Sequence, residues 1–192
     1  MWQSIKSFIG TMIPVLLGVY LAVAAGNCNE DLQLQESLSK IEQVLLTEIE
    51  ANRALVERSL QYHTDLKDTM VVYRTRYSIE QAKSMSLQEV MGGFGGIRIA
   101  HLRHGAYQTG LSSGMLQEMD VDRLMSISNL YIAQEYYQQL GKSYLAQAIS
   151  LPPDVSAYEG GMFMSFLVND AIPAERELLY FMDEVEAMLR ER

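Results

Sequence analysis

The sequence predicts an all-α protein in which an N-terminal transmembrane helix is followed by a long helix and an antiparallel helical bundle. Three observations lead to this fold class: an uncharged apolar run near the N-terminus, a long apolar stripe with helical spacing, and further stripes separated by glycine or proline. The 192 residues are enough for one hydrophobic core. We therefore predict a short cytoplasmic N-terminus at 1–7, a transmembrane helix at 8–27 and an extracytoplasmic helical bundle domain at 28–192.

The apolar run is the evidence for the membrane anchor. Residues 8–25 contain no charged side chain, and Lys6 is the only charged side chain in the first 28 residues. At a rise of about 1.5 Å per residue, this run, extended slightly at each end, spans a hydrocarbon core. A cleaved signal peptide is the alternative, because residues 22–24 (Ala-Val-Ala) resemble a small-residue cleavage site. The run is longer than a usual signal core, so we predict a retained anchor that contacts the lipid bilayer through residues 8–27.

The charges that flank the run favour an orientation with the N-terminus inside. Lys6 and the terminal amine precede the run, whereas the charged side chains that follow it before Lys40 are all acidic. The large domain is then expected outside the cytoplasm.

Because Cys28 is the single cysteine, an intrachain disulfide is excluded. We expect it to be an inert thiol, with an interchain disulfide as the open alternative.

The charge balance excludes some partners. The chain has 15 basic and 24 acidic residues, for a formal net charge of −9. Because only Lys6 lies in the anchor region, the remainder carries 14 basic and 24 acidic residues and a net charge of −10. This acidity argues against a nucleic-acid partner and against adhesion to an anionic membrane surface.

A long helix is predicted after the anchor, because apolar residues recur there every three or four positions and no glycine or proline lies between Asn27 and Gly92. The stripe consists of Leu34, Leu38, Ile41, Leu45, Ile49, Asn52, Val56 and Leu60. It continues with poorer apolar quality through His63, Lys67, Met70 and Tyr73 to Tyr77.

Glycines divide the middle of the chain. Residues 92–96 (Gly-Gly-Phe-Gly-Gly) predict a hinge, since a phosphate-binding loop would need a preceding strand and a following Lys-Ser/Thr. A short helix is predicted over 97–109, closed by the turn at 110–114. Asp120 is a suitable N-cap for the next helix, which should end before Pro152.

The C-terminal part predicts one more helix. Residues 151–161 are predicted to form a surface loop, and residues 162–168 fit either a buried helical turn or a short strand. Pro173 suits the start of a helix. The apolar stripe of that helix is Leu178, Met182, Val185 and Leu189.

Two stretches of the chain carry a pattern more specific than helical spacing. The first is the apolar segment at 15–22 followed by Gly-Asn-Cys-Asn-Glu at 26–30. The second contains Ala106, Tyr107, Ser112, Ser113, Gly114, Leu116 and the pair Tyr136-Tyr137. Together these stretches resemble an uncharacterised family of bacterial single-pass membrane proteins. The resemblance implies an inner-membrane anchor with an extracytoplasmic helical domain, and it brings no activity and no catalytic residues. Cys28 stands where an aromatic residue is usual in the family, so no role is transferred to it.

Histidines give the only metal-site hypothesis. His101 and His104 would share a face of a helix, and His63 could join them if the long helix packs alongside. The pattern is weak because it lacks the spacing of a known metal motif, and we predict no metal site, no cofactor and no catalytic residue.

The carboxylates of the last helix are interpreted as a solvated face. They include Glu175, Glu177, Asp183, Glu184 and Glu186.

Three functions remain open from the sequence. The leading hypothesis is a non-enzymatic interaction or scaffold protein in a homo-oligomer or with a membrane-protein partner, because the long stripe exceeds what a small bundle needs. The alternative is an extracytoplasmic ligand-binding sensor that signals through a partner. The glycine hinge and the methionine and tyrosine content are the observations that favour it. The third is a metal-dependent enzyme built on His63, His101 and His104.

Overall fold

The computed structural model describes residues 2–90 and 96–191, with side chains for residue 29 and for residues 31–90 and 96–191. The predicted all-α class is confirmed. The helices are α1 (Trp2–Arg76), α2 (Ile79–Ser84), α3 (Leu87–Val90), α4 (Gly105–Ser112), α5 (Val121–Ser150) and α6 (Ala157–Arg190), with a 3₁₀ turn at Met115–Glu118. An isolated antiparallel bridge joins Ser86 and Ser156.

The chain divides into two compact units, Met1–Gln43 and Val44–Arg192. In the first unit, Lys40 pairs with Glu36 across one helical turn at 2.7 Å. Among the described residues, no helix is both long enough and apolar enough to cross a membrane. The predicted span, residues 8–27, lies outside the residues whose side chains are described, as does Cys28.

Three helices form the core of the second unit: the part of α1 from Val44 onward, α5 and α6. Helix α6 is antiparallel to α1, because His63 bonds to Glu175 whereas Arg74, later in α1, bonds to the earlier Ser165. Helices α5 and α6 form a hairpin around a short connection. At one end of the bundle the three helices share a buried apolar cluster of Leu66, Met70, Tyr144, Met164, Leu167, Val168, Ala171 and Ile172.

The long helix is confirmed through Arg76, and its predicted stripe is corrected at one position. Lys67 is exposed, and Leu66 and Met70 are the buried residues on either side of it. The reason is that a buried ammonium group would need a paired charge, whereas Leu66, three residues after the buried His63, reaches the core directly.

Helix α5 agrees with its predicted boundaries, and α6 differs from its own. Asp120 caps α5 by accepting a hydrogen bond from the Asp122 N–H. Helix α6 begins at Ala157, inside the predicted loop, because the Ser156 side chain accepts from the Glu159 N–H and caps it. Residues 162–168 are helical.

Pro173 lies inside α6, so its predicted place at a helix start is wrong. Proline removes one N–H from the helical pattern, and the cost depends on whether the freed carbonyl four residues earlier can reach solvent. Both Pro173 and Asn169 are exposed. The lost bond therefore lies on the solvent-facing side of α6, and the helix continues through Pro173.

The predicted helix at 97–109 is wrong over 97–104 and confirmed over 105–109. Residues 96–104, which we call the strap, have no regular secondary structure, and α4 begins only at Gly105. Of the predicted glycine hinge, residues 92–95 lie outside the described residues. Gly96 has φ +79°, a left-handed value that favours glycine. Of the turn predicted at 110–114, residues 110–112 are the end of α4, and the turn itself is confined to 113–114, where Gly114 closes the helix with φ +77°.

The strap approaches α5 most closely at Gly141. A Cβ atom placed there would lie 2.5 Å from Ile99 Cγ2 and 2.9 Å from Ile99 Cβ. Ile99 is β-branched and stiff at χ1, so it has little freedom to move away. Gly161 in α6 is the opposite case, since a Cβ there would have no neighbouring atom within 4 Å.

We predict that Gly141→Ala lowers the free energy of unfolding by about 1 kcal/mol, because overpacking against Ile99 costs more than the helix propensity of alanine returns. The matched change Gly161→Ala should raise the free energy of unfolding by about 0.5–1 kcal/mol. Urea unfolding of the purified full-length chain measures both. Equal stabilisation by both alanines would contradict the described packing of the strap on α5.

Candidate functional site

Side chains from two helices hold the backbone of the strap. The Asn52 amide donates to the Arg103 carbonyl at 2.7 Å and accepts from the Arg103 N–H at 2.8 Å. The Gln138 amide donates to the Leu102 carbonyl at 2.9 Å. These bonds replace those that a helix would supply, since buried backbone groups need partners. Asn52 is fully buried, so both of its bonds are shielded from water.

A second set of bonds converges on Glu175 at the centre of the bundle. Tyr137 accepts from the Ala100 N–H at 3.1 Å, so its single hydroxyl proton is free to go to Glu175 Oε1, 2.8 Å away. His63 Nδ1 lies 2.8 Å from the same carboxylate oxygen. The chain of bonds therefore runs from His63 in α1, through Glu175 in α6 and Tyr137 in α5, to the strap. We call these three side chains the buried polar cluster.

Tyr62 and Arg98 hold the N-terminal end of the strap. The Tyr62 hydroxyl donates to the carbonyl of Gly96, and the Arg98 guanidinium lies over the Tyr62 ring at 4.6 Å from its centroid. Tyr62 also packs edge-on against the ring of His63, with the centroids 5.4 Å apart. The aromatic ring thus connects the start of the strap to the buried polar cluster.

Glu48 fixes the start of α4, directly after the strap. Its Oε2 accepts from the Ala106 N–H at 2.9 Å, which satisfies a free donor in the first turn of α4. Its Oε1 accepts from the Tyr131 hydroxyl at 2.7 Å. The Tyr131 ring stacks on Tyr107 with the centroids 4.1 Å apart and the planes inclined by 8°. Tyr107, whose hydroxyl lies 3.5 Å from Ser128 Oγ, is therefore part of the packing.

Burial changes the acidity of three tyrosines in the bundle. Burial, together with the nearby Glu175 carboxylate, raises the pKa of Tyr137 above its ordinary value of 10.0. Burial and the hydrogen bond to Glu48 raise the pKa of Tyr131 in the same way, and burial and Asp170 raise that of Tyr144. All three hydroxyls therefore stay protonated at neutral pH and act as donors to carboxylates.

The buried polar cluster is closed to solvent. His63, Tyr137 and Glu175 each have 0% exposure. His63 Nε2 and Glu175 Oε2 have no hydrogen-bond partner among the described residues. Leaving buried polar atoms unpartnered is costly, so these two atoms reduce the stability that the cluster contributes. The described side chains cover the cluster. Its bond to the strap, from the Ala100 N–H to the Tyr137 hydroxyl, holds the strap against the bundle.

The structure does not bring the three predicted histidines together. His63 is buried at the polar cluster, whereas His101 and His104 are exposed and lie on the strap, so the helical face assumed for them is absent. No group of three His, Cys, Asp or Glu side chains that could hold a metal occurs in the part of the chain that the structure describes.

The prediction of a solvated acidic face on the last helix is wrong at two positions. Glu175 is fully buried, and Glu186 is mostly covered and bonds to Arg53 at 3.0 Å. Arg53 also pairs with the exposed Asp183 at 2.8 Å. Spacing could have revealed Glu175, because it lies three residues before the stripe residue Leu178 and so belongs to the same apolar face.

The described part of the second unit has several concave regions, and two of them are larger than the rest of those described. The first is a groove of about 420 Å³ between α4 and α5, which we call the α4–α5 groove. Its lining residues are His104, Tyr107, Gln108, Leu111, Tyr131, Ile132, Gln134, Glu135, Gln138 and Lys142. The second is a mainly apolar pocket of about 290 Å³ lined by parts of α1, α2 and α6, including Met70, Tyr73 and Met162.

Comparisons with known proteins give no relative. No protein-family model matches the chain, and neither a curated protein nor a solved structure is significantly similar to it. The resemblance to bacterial single-pass membrane proteins therefore stays a prediction.

The raised pKa of Tyr137 predicts a loss of stability in alkali. A folded-state pKa above the unfolded value leaves this contribution intact below pH 10 and removes it as the pH rises toward the folded-state pKa. Tyr137→Phe should lower the free energy of unfolding at pH 8 by about 1–3 kcal/mol, because Glu175 and the Ala100 N–H lose a partner. The same variant should then lose less stability than the wild type between pH 9 and pH 11.

Urea unfolding at several pH values measures both effects. The control is Tyr136→Phe, an exposed neighbour on α5, which should change the stability at pH 8 by less than about 0.5 kcal/mol. An alkaline loss in Tyr137→Phe as large as that of the wild type would show that this hydroxyl is not held protonated by the fold.

Proposed function

We propose that the chain is a membrane-anchored helical interaction protein that assembles with itself or with another membrane protein. Residues 8–27 are its transmembrane anchor in a bacterial inner membrane, the N-terminus lies inside, and the helical domain lies outside the cytoplasm. No catalytic step enters this proposal. The single observation that carries it is an exposed apolar face on α5.

This face, which we call the α5 face, consists of four large apolar side chains. Their exposed fractions are 67% for Val121, 58% for Met125, 64% for Ile132 and 60% for Tyr136. At about 100° per residue, their spacing of 4, 7 and 4 positions keeps them within about 60° of one another around the helix axis. Scattered apolar side chains are ordinary on protein surfaces, but an aligned set on one helix face is typical of a contact surface.

The short residues between these side chains favour close approach. Ser128 and Asn129 lie between Met125 and Ile132 along the helix, at the two margins of the α5 face, and both are short and uncharged. A partner helix would therefore meet no long charged side chain there. Tyr136 supplies a large ring with a polar tip, a residue type enriched at the centres of interfaces.

The anchor strengthens such an interaction. Two proteins confined to one membrane meet at a high effective concentration, so a modest apolar face is enough for association that would be weak in free solution. The proposed anchor and the proposed contact face therefore support the same function.

The test is the mass of the complex after gentle solubilisation. We expect native mass spectrometry in detergent to detect an oligomer or a copurifying membrane protein with the wild type. Met125→Glu together with Tyr136→Glu should reduce that species at least tenfold, because charges placed in an apolar contact must lose their hydration.

A second double variant is the matched control. Leu145→Glu with Ile149→Glu makes the same kind of change on the same helix, at side chains with exposed fractions of 53% and 76% that point roughly 130° away from the α5 face. It should leave the complex intact. A wild type that is monomeric without a copurifying partner, or equal effects of both double variants, would contradict the proposal.

A further inference from the structure

The mainly apolar pocket of α1, α2 and α6, which we call the Arg74 pocket, has one charged side chain in its described lining. Arg74 of α1 is exposed, and the other described lining residues are uncharged. Whereas Arg53 and Arg190 pair with carboxylates, the Arg74 guanidinium donates to a neutral hydroxyl, Ser165 Oγ. A guanidinium carries several N–H donors, and this bond uses only one of them.

Two adjacent glycines of α6 shape the pocket. At Gly160 a Cβ atom would lie 2.5 Å from Leu87 Cδ2 and 2.9 Å from Leu87 Cγ, so a side chain there would displace α3 from α6. The Leu87 N–H also donates to the Val155 carbonyl at 3.1 Å, which holds α3 beside the start of α6. At Gly161, which lines the pocket, a Cβ would have no neighbouring atom within 4 Å. The walls are therefore fixed by close packing, and the space beside Gly161 is open.

The other charges near the pocket do not compensate Arg74. Lys83 Nζ lies 5.4 Å from the centroid of the Tyr158 ring, which lines the pocket, and Glu80 is three positions before Lys83 on the same face of α2. These two opposite charges balance each other. Glu159 follows Tyr158 in the chain but does not line the pocket, and its carboxylate accepts from the Ser156 hydroxyl at 2.9 Å. The lining therefore favours an anion.

We infer that the Arg74 pocket binds a small carboxylate with an apolar body that contains a ring. A guanidinium matches the geometry of a carboxylate and forms charge-assisted hydrogen bonds with it. A phosphate would bring up to two negative charges against one guanidinium, so a carboxylate is the better match. The ring would lie among Met70, Met162 and the tyrosines of the lining, because methionine sulfur and tyrosine rings contact aromatic rings favourably.

The volume of the pocket limits the size of the ligand. A cavity of about 150 Å³ holds a benzene molecule, so the volume of about 290 Å³ has room for roughly a dozen non-hydrogen atoms. Ile79 and Met162 line the pocket with exposed fractions of 54% and 42%, so part of the lining is open to solvent and a ligand can enter. This site does not depend on the assembly proposed for the α5 face.

The test compares hydrocinnamate with hydrocinnamyl alcohol, which has the same ring and chain but a hydroxyl group in place of the carboxylate. Calorimetric titration of the full-length chain in lipid nanodiscs measures binding, and the titration of empty nanodiscs is subtracted. We expect hydrocinnamate to bind about fivefold or more tightly than the alcohol, although the alcohol is the more apolar molecule, because only the carboxylate pairs with Arg74.

Two arginine variants test the role of the charge. Arg74→Gln keeps a long polar side chain at an exposed position, and it should lower the affinity for hydrocinnamate to that for the alcohol. The control Arg76→Gln removes the same charge two positions along the same helix, at an exposed residue that does not line the pocket. It should leave the preference for hydrocinnamate unchanged.

Gly161→Leu tests the location of the site, because it places a side chain in the open space of the pocket. This variant should weaken the binding of both probes at least tenfold. Its thermal midpoint should equal or exceed that of the wild type, since leucine favours a helix more than glycine does. Absence of binding to the wild type, equal binding of the two probes, a preference that survives in Arg74→Gln, or undiminished binding to Gly161→Leu would overturn the inference.

Discussion

The second unit depends on the contacts that converge on one carboxylate oxygen, Glu175 Oε1. It accepts from Tyr137 and lies 2.8 Å from His63 Nδ1, so α1, α5 and α6 meet at one atom. Hydrogen bonds to a buried carboxylate are stronger than bonds between neutral groups, but they require that every participating group be placed accurately. The apolar residues that surround this point supply most of the burial, and the carboxylate supplies the polar contacts that join the three helices.

The same point determines the path of the strap. Because Tyr137 donates to Glu175, its oxygen is oriented to accept from the Ala100 N–H. Asn52 then bonds to both backbone groups of Arg103, and Glu48 supplies the cap for the next helix. The strap can leave the helical pattern only because these side chains are preorganised by the bundle. Its course also determines the position of α4, which forms one wall of the α4–α5 groove.

The parts of the fold that depend on neighbouring residues could be predicted from the sequence. Helical spacing locates α1 and α5, and residue type predicts both the capping role of Asp120 and a turn that ends at Gly114. The strap could not be predicted in this way, because its partners lie far away in the chain: Asn52 precedes Arg103 by 51 residues. Local propensity favours a helix there, and tertiary hydrogen bonds prevail over it.

The candidate site was only partly visible in the sequence for a related reason. Asn52 and His63 occupy positions of an apolar stripe, and a polar residue at such a position indicates a buried bond, but not its partner. Glu175 completes the stripe of α6, yet the many acidic residues around it made a solvated face the natural interpretation. Gln134 lies three residues before the buried Tyr137, so helical spacing is consistent with its burial, whereas its lack of a partner among the described residues could not be predicted.

Hydrogen exchange at two backbone amides of the strap tests the central role of Glu175 most directly. The Ala100 N–H depends on Glu175 through Tyr137, whereas the Arg103 N–H is held by Asn52. Glu175→Gln replaces the carboxylate by a weaker acceptor, so exchange of the Ala100 amide should accelerate by about tenfold or more, the equivalent of one charged hydrogen bond. Exchange of the Arg103 amide should change much less. Unchanged exchange at Ala100, or the same acceleration at both amides, would contradict a strap positioned by Glu175.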